Sequence, residues 1–304
     1  MLVAALVFAS AIGSERLNFF ALSPEQRSIL FDIRLPRVLL AAGVGASLAA
    51  AGAALQAMLR NPLAEPYLLG VSNGAALGTM LAFVFFEQVM FSRPLLAFGG
   101  AAIASAVVYQ MARTRAGMNV ERLVLSGVIV TTFLSSIIVM LTSLLDAARL
   151  RGFTFWLLGD LSQATASGFY LTAAAALIGT ATLASQSRAL NLMMVGERDA
   201  LDFGVEVGRV RLLVFGTSSM LVGTAVAASG SVGYVGLIVP HLVRMTFGAD
   251  NRSVIPFSAV AGAVFVVLAD TAARTLIAPR ELPVGAITAL VGAPMFIYLL
   301  KRNA

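Results

Sequence analysis

Residues 60–75 read Arg60-Asn61-Pro62-Leu63-Ala64-Glu65-Pro66-Tyr67-Leu68-Leu69-Gly70-Val71-Ser72-Asn73-Gly74-Ala75, a short polar break between apolar runs at 36–58 and 66–86. Proline cannot donate to a helix ladder and turns the residue before it away from helical geometry. Pro62 and Pro66 therefore stop one helix and start the next within a tight turn. Working outward from this turn, similar apolar runs occupy 1–13, 94–112, 123–145, 167–185, 210–229, 234–247, 254–273 and 283–300. A membrane span needs about 20 predominantly apolar residues, fewer where protein covers the backbone. The sequence thus predicts an all-α integral membrane protein of about ten transmembrane helices, with residues 1–304 forming a single transmembrane domain. Most runs are rich in Ala, Gly and Ser, which let helix backbones approach closely in lipid. The run at 234–247 is short and carries Pro240, so it reads as a bent or re-entrant piece.

Composition points the same way. Of 304 residues 59% are hydrophobic and 12% charged, with a mean hydropathy of +0.91. A water-soluble fold has too little interior to hide that much apolar side chain. Cysteine is absent, which excludes disulfides and thiolate metal sites. The net charge is +6, but the basic residues stand singly between apolar runs, which suits loops of a polytopic protein and argues against nucleic-acid binding. At the N-terminus, residues 2–12 are apolar and Ala9-Ser10-Ala11 resembles a cleavage site, yet no basic segment precedes it. The stretch reads as a first membrane helix whose start is missing or abbreviated.

Loop arginines orient the chain. With a cytoplasmic N-terminus, the inside carries a small excess of basic residues, while Arg16, Arg27, Arg34, Arg37, Arg93, Arg149, Arg151, Arg274 and Arg280 fall outside. Positive charge on the exported face suggests an acidic partner there; equally, these arginines could pair with Glu15, Glu25, Asp32, Asp146 and Glu281. Arg37 followed by the small-residue stretch 38–58 is echoed by Arg211 followed by 212–229, running the opposite way, as in the inverted repeats of transporters.

Three further stretches are too particular for generic membrane helix. Arg34-Leu35-Pro36-Arg37 precedes the second run, and Pro36 suits a first helical turn. Residues 192–210 are the longest polar interruption and contain Gly196-Glu197-Arg198-Asp199-Ala200 and Gly204; a helix at about 197–203 would be a solvated linker or a surface element that docks on a soluble partner. The last third carries Gly230-Ser231-Val232-Gly233-Tyr234-Val235-Gly236-Leu237-Ile238-Val239-Pro240-His241, then Ala269-Asp270, Glu281-Leu282-Pro283-Val284-Gly285 and Gly292-Ala293-Pro294.

Taken with the 60–75 run, these ordered blocks resemble the FecCD family of permeases, which includes cobalamin and haem importers; the resemblance covers about 32–302, with Tyr234 where phenylalanine is more usual. It implies a type II ABC importer permease architecture: a homodimer with the translocation path between the copies, two cytoplasmic ATP-binding subunits, and a periplasmic substrate-binding protein. The cargo would be a ferric siderophore, haem or cobalamin, moved across the bacterial inner membrane. The VSNGA wording leans towards the cobalamin member. The matching positions are Arg34, Arg37 and Arg274 for binding-protein docking, Asn61 and Leu63 for a cytoplasmic gate, and Glu197, Ala200 and Gly204 for ATPase coupling at about 191–209. Exposed docking pairs would contribute ~0–1 kcal/mol each and serve steering and register. Asn61 could equally cap the turn ahead of Pro62.

No cofactor or metal is implied. His241 is the only histidine, so one chain offers no multi-histidine site; at a helix break it reads as satisfying local backbone. Asp270 and Arg274, four apart, suit an intrahelical ion pair. Trp156 reads as an interface aromatic. The rival function is a proton-coupled secondary transporter using Asp270 and His241. A membrane enzyme has no support, since neither a nucleophile–base pair nor a G-x-x-x-x-G-K-[ST] loop is present, and ATP hydrolysis would have to lie on another chain.

Overall fold

The computed structural model describes residues 1–13, 23–86, 88–89, 91–114 and 117–302. Glu15, Arg16 and Arg115 lie outside them. Six helices are long and apolar enough to cross a membrane: Pro24–Leu59, Ser92–Ala112 (α5), Val120–Thr142 (α6), Ala166–Ser185 (α8), Val207–Ser229 (α11) and Asn251–Thr275 (α13). Four shorter apolar helices complete the set: Leu2–Ala11 (α1), Val71–Phe85 (α4), Val235–Phe247 (α12) and Val284–Arg302 (α14). The chain is a multi-pass membrane protein, and these ten helices match the apolar runs of the sequence in order.

The first long helix differs from expectation. Helix begins at Pro24 (α2, Pro24–Ser28), not at Pro36, and passes through a wide-turn segment Ile29–Arg34 into α3, Leu35–Leu59. The Leu35 N–H bonds the Leu30 carbonyl, one residue further back than in an α-helix. A widened turn here lets the helix run through Pro36, which brings no N–H and would crowd the carbonyl four residues back.

α3 is the central post: 83% of its most apolar window is buried inside the chain, against 22% for α8 and 28% for α6, which leaves the latter two to face lipid or a neighbouring copy. It packs on α8, α11, α12 and α13. Small residues permit this. A Cβ on Gly45 would fall onto the Gly262 carbonyl of α13, and one on Gly52 onto the Gly236 carbonyl of α12, so backbones touch where side chains would hold them apart. The order long–short–long occurs twice, as α3–α4–α5 and α11–α12–α13, and each short helix starts beyond a left-handed residue, Gly70 (φ 75°) and Tyr234 (φ 69°). That recurrence fits the repeat expected from the sequence.

Between the spans, Ala147–Leu157 (α7) is an additional helix capped by Asp146, which accepts from the Ala148 and Arg149 N–H groups. Its Trp156 is half-buried and stacks on Phe153 with ring centroids 6.3 Å apart. Ser187–Val195 (α9) and Glu197–Asp202 (α10) form the polar interruption. A two-stranded antiparallel ribbon pairs Arg113–Thr114 (β1) with Gly117–Met118 (β2).

Candidate functional site

Two polar clusters sit at opposite ends of α3, about 30 Å apart by helix rise from Arg37 to Gln56. At the first end, Asp270 of α13 is 1% exposed and lies between two guanidiniums. Arg37 of α3 donates to Asp270 Oδ1 through Nε at 3.0 Å and has Nη2 2.9 Å from the same oxygen. Arg274, one turn on from Asp270, places Nε 3.1 Å from Oδ2, an ion pair in distance though not aligned as a hydrogen bond. The intrahelical pair expected from the four-residue spacing is therefore present.

Arg37 also donates through Nη1 to Glu281 Oε2 at 2.8 Å; the Glu281 side chain is 46% exposed. Arg34 donates to the Ser10 and Ala11 carbonyls at 3.3 and 3.2 Å, and Arg274 Nη2 to the Ala9 carbonyl at 3.1 Å. Those carbonyls belong to the C-terminal end of α1, where helix acceptors lack partners of their own. The cluster thus ties α1, α3, α13 and the segment before α14 together. Arg34, Arg37 and Arg274 are brought close, as the docking expectation requires, yet all three are buried and already engaged within the chain. Asp270 and Glu281, absent from the expected docking set, complete the cluster; their acidic character beside conspicuous arginines was the available signal.

At the second end α3 stops at Arg60, whose left-handed backbone (φ 49°) turns the chain. The Asn61 side chain then accepts from the Leu63 N–H at 2.9 Å and holds the turn, while Asn61, Pro62 and Leu63 remain exposed. Asn61 does cap this turn, and exposure leaves it and Leu63 free for a second role. Beyond it, Glu65 Oε1 accepts from the Tyr234 N–H at 3.0 Å. Burial pushes the Glu65 carboxyl up, and that N–H pulls it partly back. The Tyr67 hydroxyl donates to the Val232 carbonyl at 2.8 Å and accepts from the Val232 N–H at 2.9 Å. The two motif blocks at 60–67 and 230–241 are therefore one structural unit.

Gln56 joins them from α3. Pro240 cannot donate to the Gly236 carbonyl four residues back. Gln56 Nε2 does so instead at 3.1 Å, and it also reaches the carbonyls of Leu237 at 3.2 Å and Ala64 at 3.3 Å. Its Oε1 accepts from Arg244 Nη1, and Arg244 Nη2 bonds the Ala53 carbonyl at 3.2 Å. The expectation that His241 satisfies the backbone at this break is corrected: Gln56 takes the freed carbonyl, and among the described residues His241 Nε2 is buried without a hydrogen-bond partner. Gln56 went unnoticed in the sequence because an amide inside an apolar helix announces no chemistry.

On the polar interruption, α10 covers Glu197–Asp202, close to its expected 197–203. Glu197 forms a bidentate pair with Arg211 of α11, Oε1 to Nη1 at 3.0 Å and Oε2 to Nη2 at 2.8 Å. Ala200 is fully buried beneath the helix, and Gly204, at φ 78°, makes the exit turn. These three residues position α10, whereas its outward surface is formed by Leu201 (55% exposed) and Phe203 (75%) beside Arg198, Asp199 and Asp202. Large exposed apolar side chains on a polar segment are the signal that spacing alone missed.

Among the described residues no group of His, Asp and Glu is arranged to hold a metal ion. The comparisons with known proteins agree with this architecture. Residues 1–302 match the FecCD transport family. The hemin transport system permease HmuU of Yersinia pestis is 41% identical over 281 residues, 90% of this chain and 84% of that protein. The cobalamin import system permease BtuC of Halobacterium salinarum is 40% identical over 285 residues, 93% and 76% of the two chains. A solved inward-facing structure of a metal-chelate type ABC transporter superposes with a TM-score of 0.90 at 34% identity, covering 99% of this chain and 96% of the other. With the ordered blocks meeting in space at both ends of its central helix, the chain belongs to the FecCD transport family, whose members are the membrane permeases of ABC transporters.

Proposed function

We propose that the chain is the membrane-spanning permease of an ATP-driven importer for a metal chelate of the ferric siderophore, haem or cobalamin class, working in the bacterial inner membrane. The observation that carries this reading is family membership over nearly the whole chain, with relatives named for hemin and cobalamin transport. It would act as a homodimer with two cytoplasmic ATP-binding subunits and a periplasmic substrate-binding protein.

Each working part has local support. The exposed Asn61–Leu63 turn is suited to closing the cytoplasmic end of a path shared with a second copy. α10, braced by Glu197–Arg211 and presenting Leu201 and Phe203, is suited to seat in a groove of an ATPase subunit, with Ala200 and Gly204 setting its height and exit. Docking of the binding protein at Arg34, Arg37 and Arg274 has to proceed by exchange of partners, and the half-exposed Glu281 on Arg37 is the contact most open to exchange.

The test is chelate uptake into proteoliposomes holding the permease, the ATPase and the binding protein. Uptake should require ATP and persist when the proton gradient is dissipated. Uptake that survives without ATP but collapses with the gradient would establish the secondary-transporter alternative. In that alternative Asp270 would carry protons, yet it is held between Arg37 and Arg274 and makes no hydrogen bond to His241 among the described residues.

A further inference from the structure

Beside the Asn61 turn is a cavity of about 180 Å³ lined by Gln56, Arg60, Asn61, Pro62, Met194 and Arg244. Its charge is one-sided. Among the described residues neither Arg60 nor Arg244 makes an ion pair. Arg244 is half-buried, and among the described residues no carboxylate lies within ion-pair distance to offset the loss of water. A cation withdrawn from water without a counter-charge is costly, unlike Arg37 and Arg274, which have Asp270 beside them at the other end of α3.

Arg244 has five donor N–H groups, and the two bonds to Gln56 and Ala53 use only part of them. Its Nε makes no hydrogen bond among the described residues and is not sealed, so at least one donor keeps access to open space. Size sets the class of occupant. Pockets that enclose a whole drug-sized ligand hold roughly 300–1,000 Å³. A smaller cavity takes a head group, and Pro62 and Met194 give it an apolar wall.

We propose that this cavity is an oxyanion site, taking one carboxylate or phosphate group between the guanidiniums of Arg60 and Arg244, with the Asn61 side chain at its rim. The group could be the acid function of a cargo leaving the path, free phosphate, or a phospholipid headgroup. The site stands on the side-chain geometry; only its use at the exit rests on the importer reading.

The experiment titrates inorganic phosphate, and separately citrate, against the purified permease in neutral detergent at constant ionic strength, reading the unfolding midpoint. A saturable rise beyond that given by chloride is expected, with the apparent Kd weakened at least tenfold by Arg244→Gln and by Arg60→Asn. Arg60 is exposed and makes no ion pair, so its variant separates loss of binding from loss of fold. No saturable response in the natural chain, or a response that both variants leave unchanged, overturns the site. Repeating the titration in nanodiscs of phosphatidylcholine and of phosphatidylglycerol identifies the source: suppression by phosphatidylglycerol assigns the oxyanion to a headgroup, and no suppression assigns it to a soluble anion. Anion binding that persists where ATP-driven uptake is absent would remove the importer reading and leave the site.

Discussion

Replacing Asp270 by Asn removes one charge from a position that is 1% exposed and leaves Arg37 and Arg274, with side chains 9% and 7% exposed, without their shared carboxylate. Breaking a buried ion pair by deleting one partner typically costs about 3–5 kcal/mol, because the remaining charge is stranded away from water. Here two guanidiniums are stranded, and the remaining acid, Glu281, pairs among the described residues with Arg37 alone and is 46% exposed. Glu281→Gln is the internal control: solvent screens that pair, and the expected loss is about 1 kcal/mol or less. Chemical unfolding of the purified chain in mixed micelles measures both variants. The Asp270→Asn loss should be nearly independent of added salt and the Glu281→Gln loss should shrink with it. The double variant Asp270→Asn with Arg274→Gln should recover part of the loss by removing the excess cation. Equal effects of the two single variants, or an Asp270→Asn loss under about 1 kcal/mol, would refute the view of this cluster as a buried clamp centred on Asp270.

Three further outcomes follow from the same geometry. Gln56→Leu strands the Gly236 carbonyl freed by Pro240 and the Arg244 donor, so stability should fall by about 1–3 kcal/mol, read by the same unfolding assay. Ala200→Phe overpacks a fully buried position and should cost about 1–3 kcal/mol while displacing α10, whereas Phe203→Ser, at a 75% exposed position, should leave the unfolding midpoint unchanged and weaken co-purification of the ATPase subunit. Asp250 caps α13 through the Arg252 N–H at 2.9 Å and accepts from Asn191 at 2.7 Å, and these bonds, the backbone one first, hold its carboxyl below the usual range. A depressed carboxyl contributes stability above its unfolded value, and that contribution is lost as pH falls through the folded value. The natural chain should therefore lose stability relative to Asp250→Asn as the unfolding midpoint is followed below about pH 4.

The sequence by itself determined the features that depend on local chemistry. Apolar runs in excess of what water tolerates placed the chain in lipid and gave the order of ten helices, because hydropathy is a property of each segment alone. Two prolines with Asn61 between the runs marked the turn that ends α3, and the four-residue spacing of Asp270 and Arg274 marked their ion pair. The acid-rich interruption located α10 to within a residue.

Only the tertiary structure decided what depends on which backbones meet. Arg37 finds Asp270 across 233 residues, and Glu65 finds the Tyr234 N–H across 169. Pro36, which looks like a helix start, lies inside a helix that widens to accept it. Arg34, Arg37 and Arg274 read as outward charges and are buried within the chain, and Ala200 lies on the buried face of α10 while Leu201 and Phe203 are exposed. No local pattern encodes these outcomes. They arise because glycines at 45, 52, 236 and 262 let α3, α12 and α13 close to backbone contact, which carries polar groups from distant segments into the same two clusters and buries Arg37, Asp270, Arg274 and Gln56.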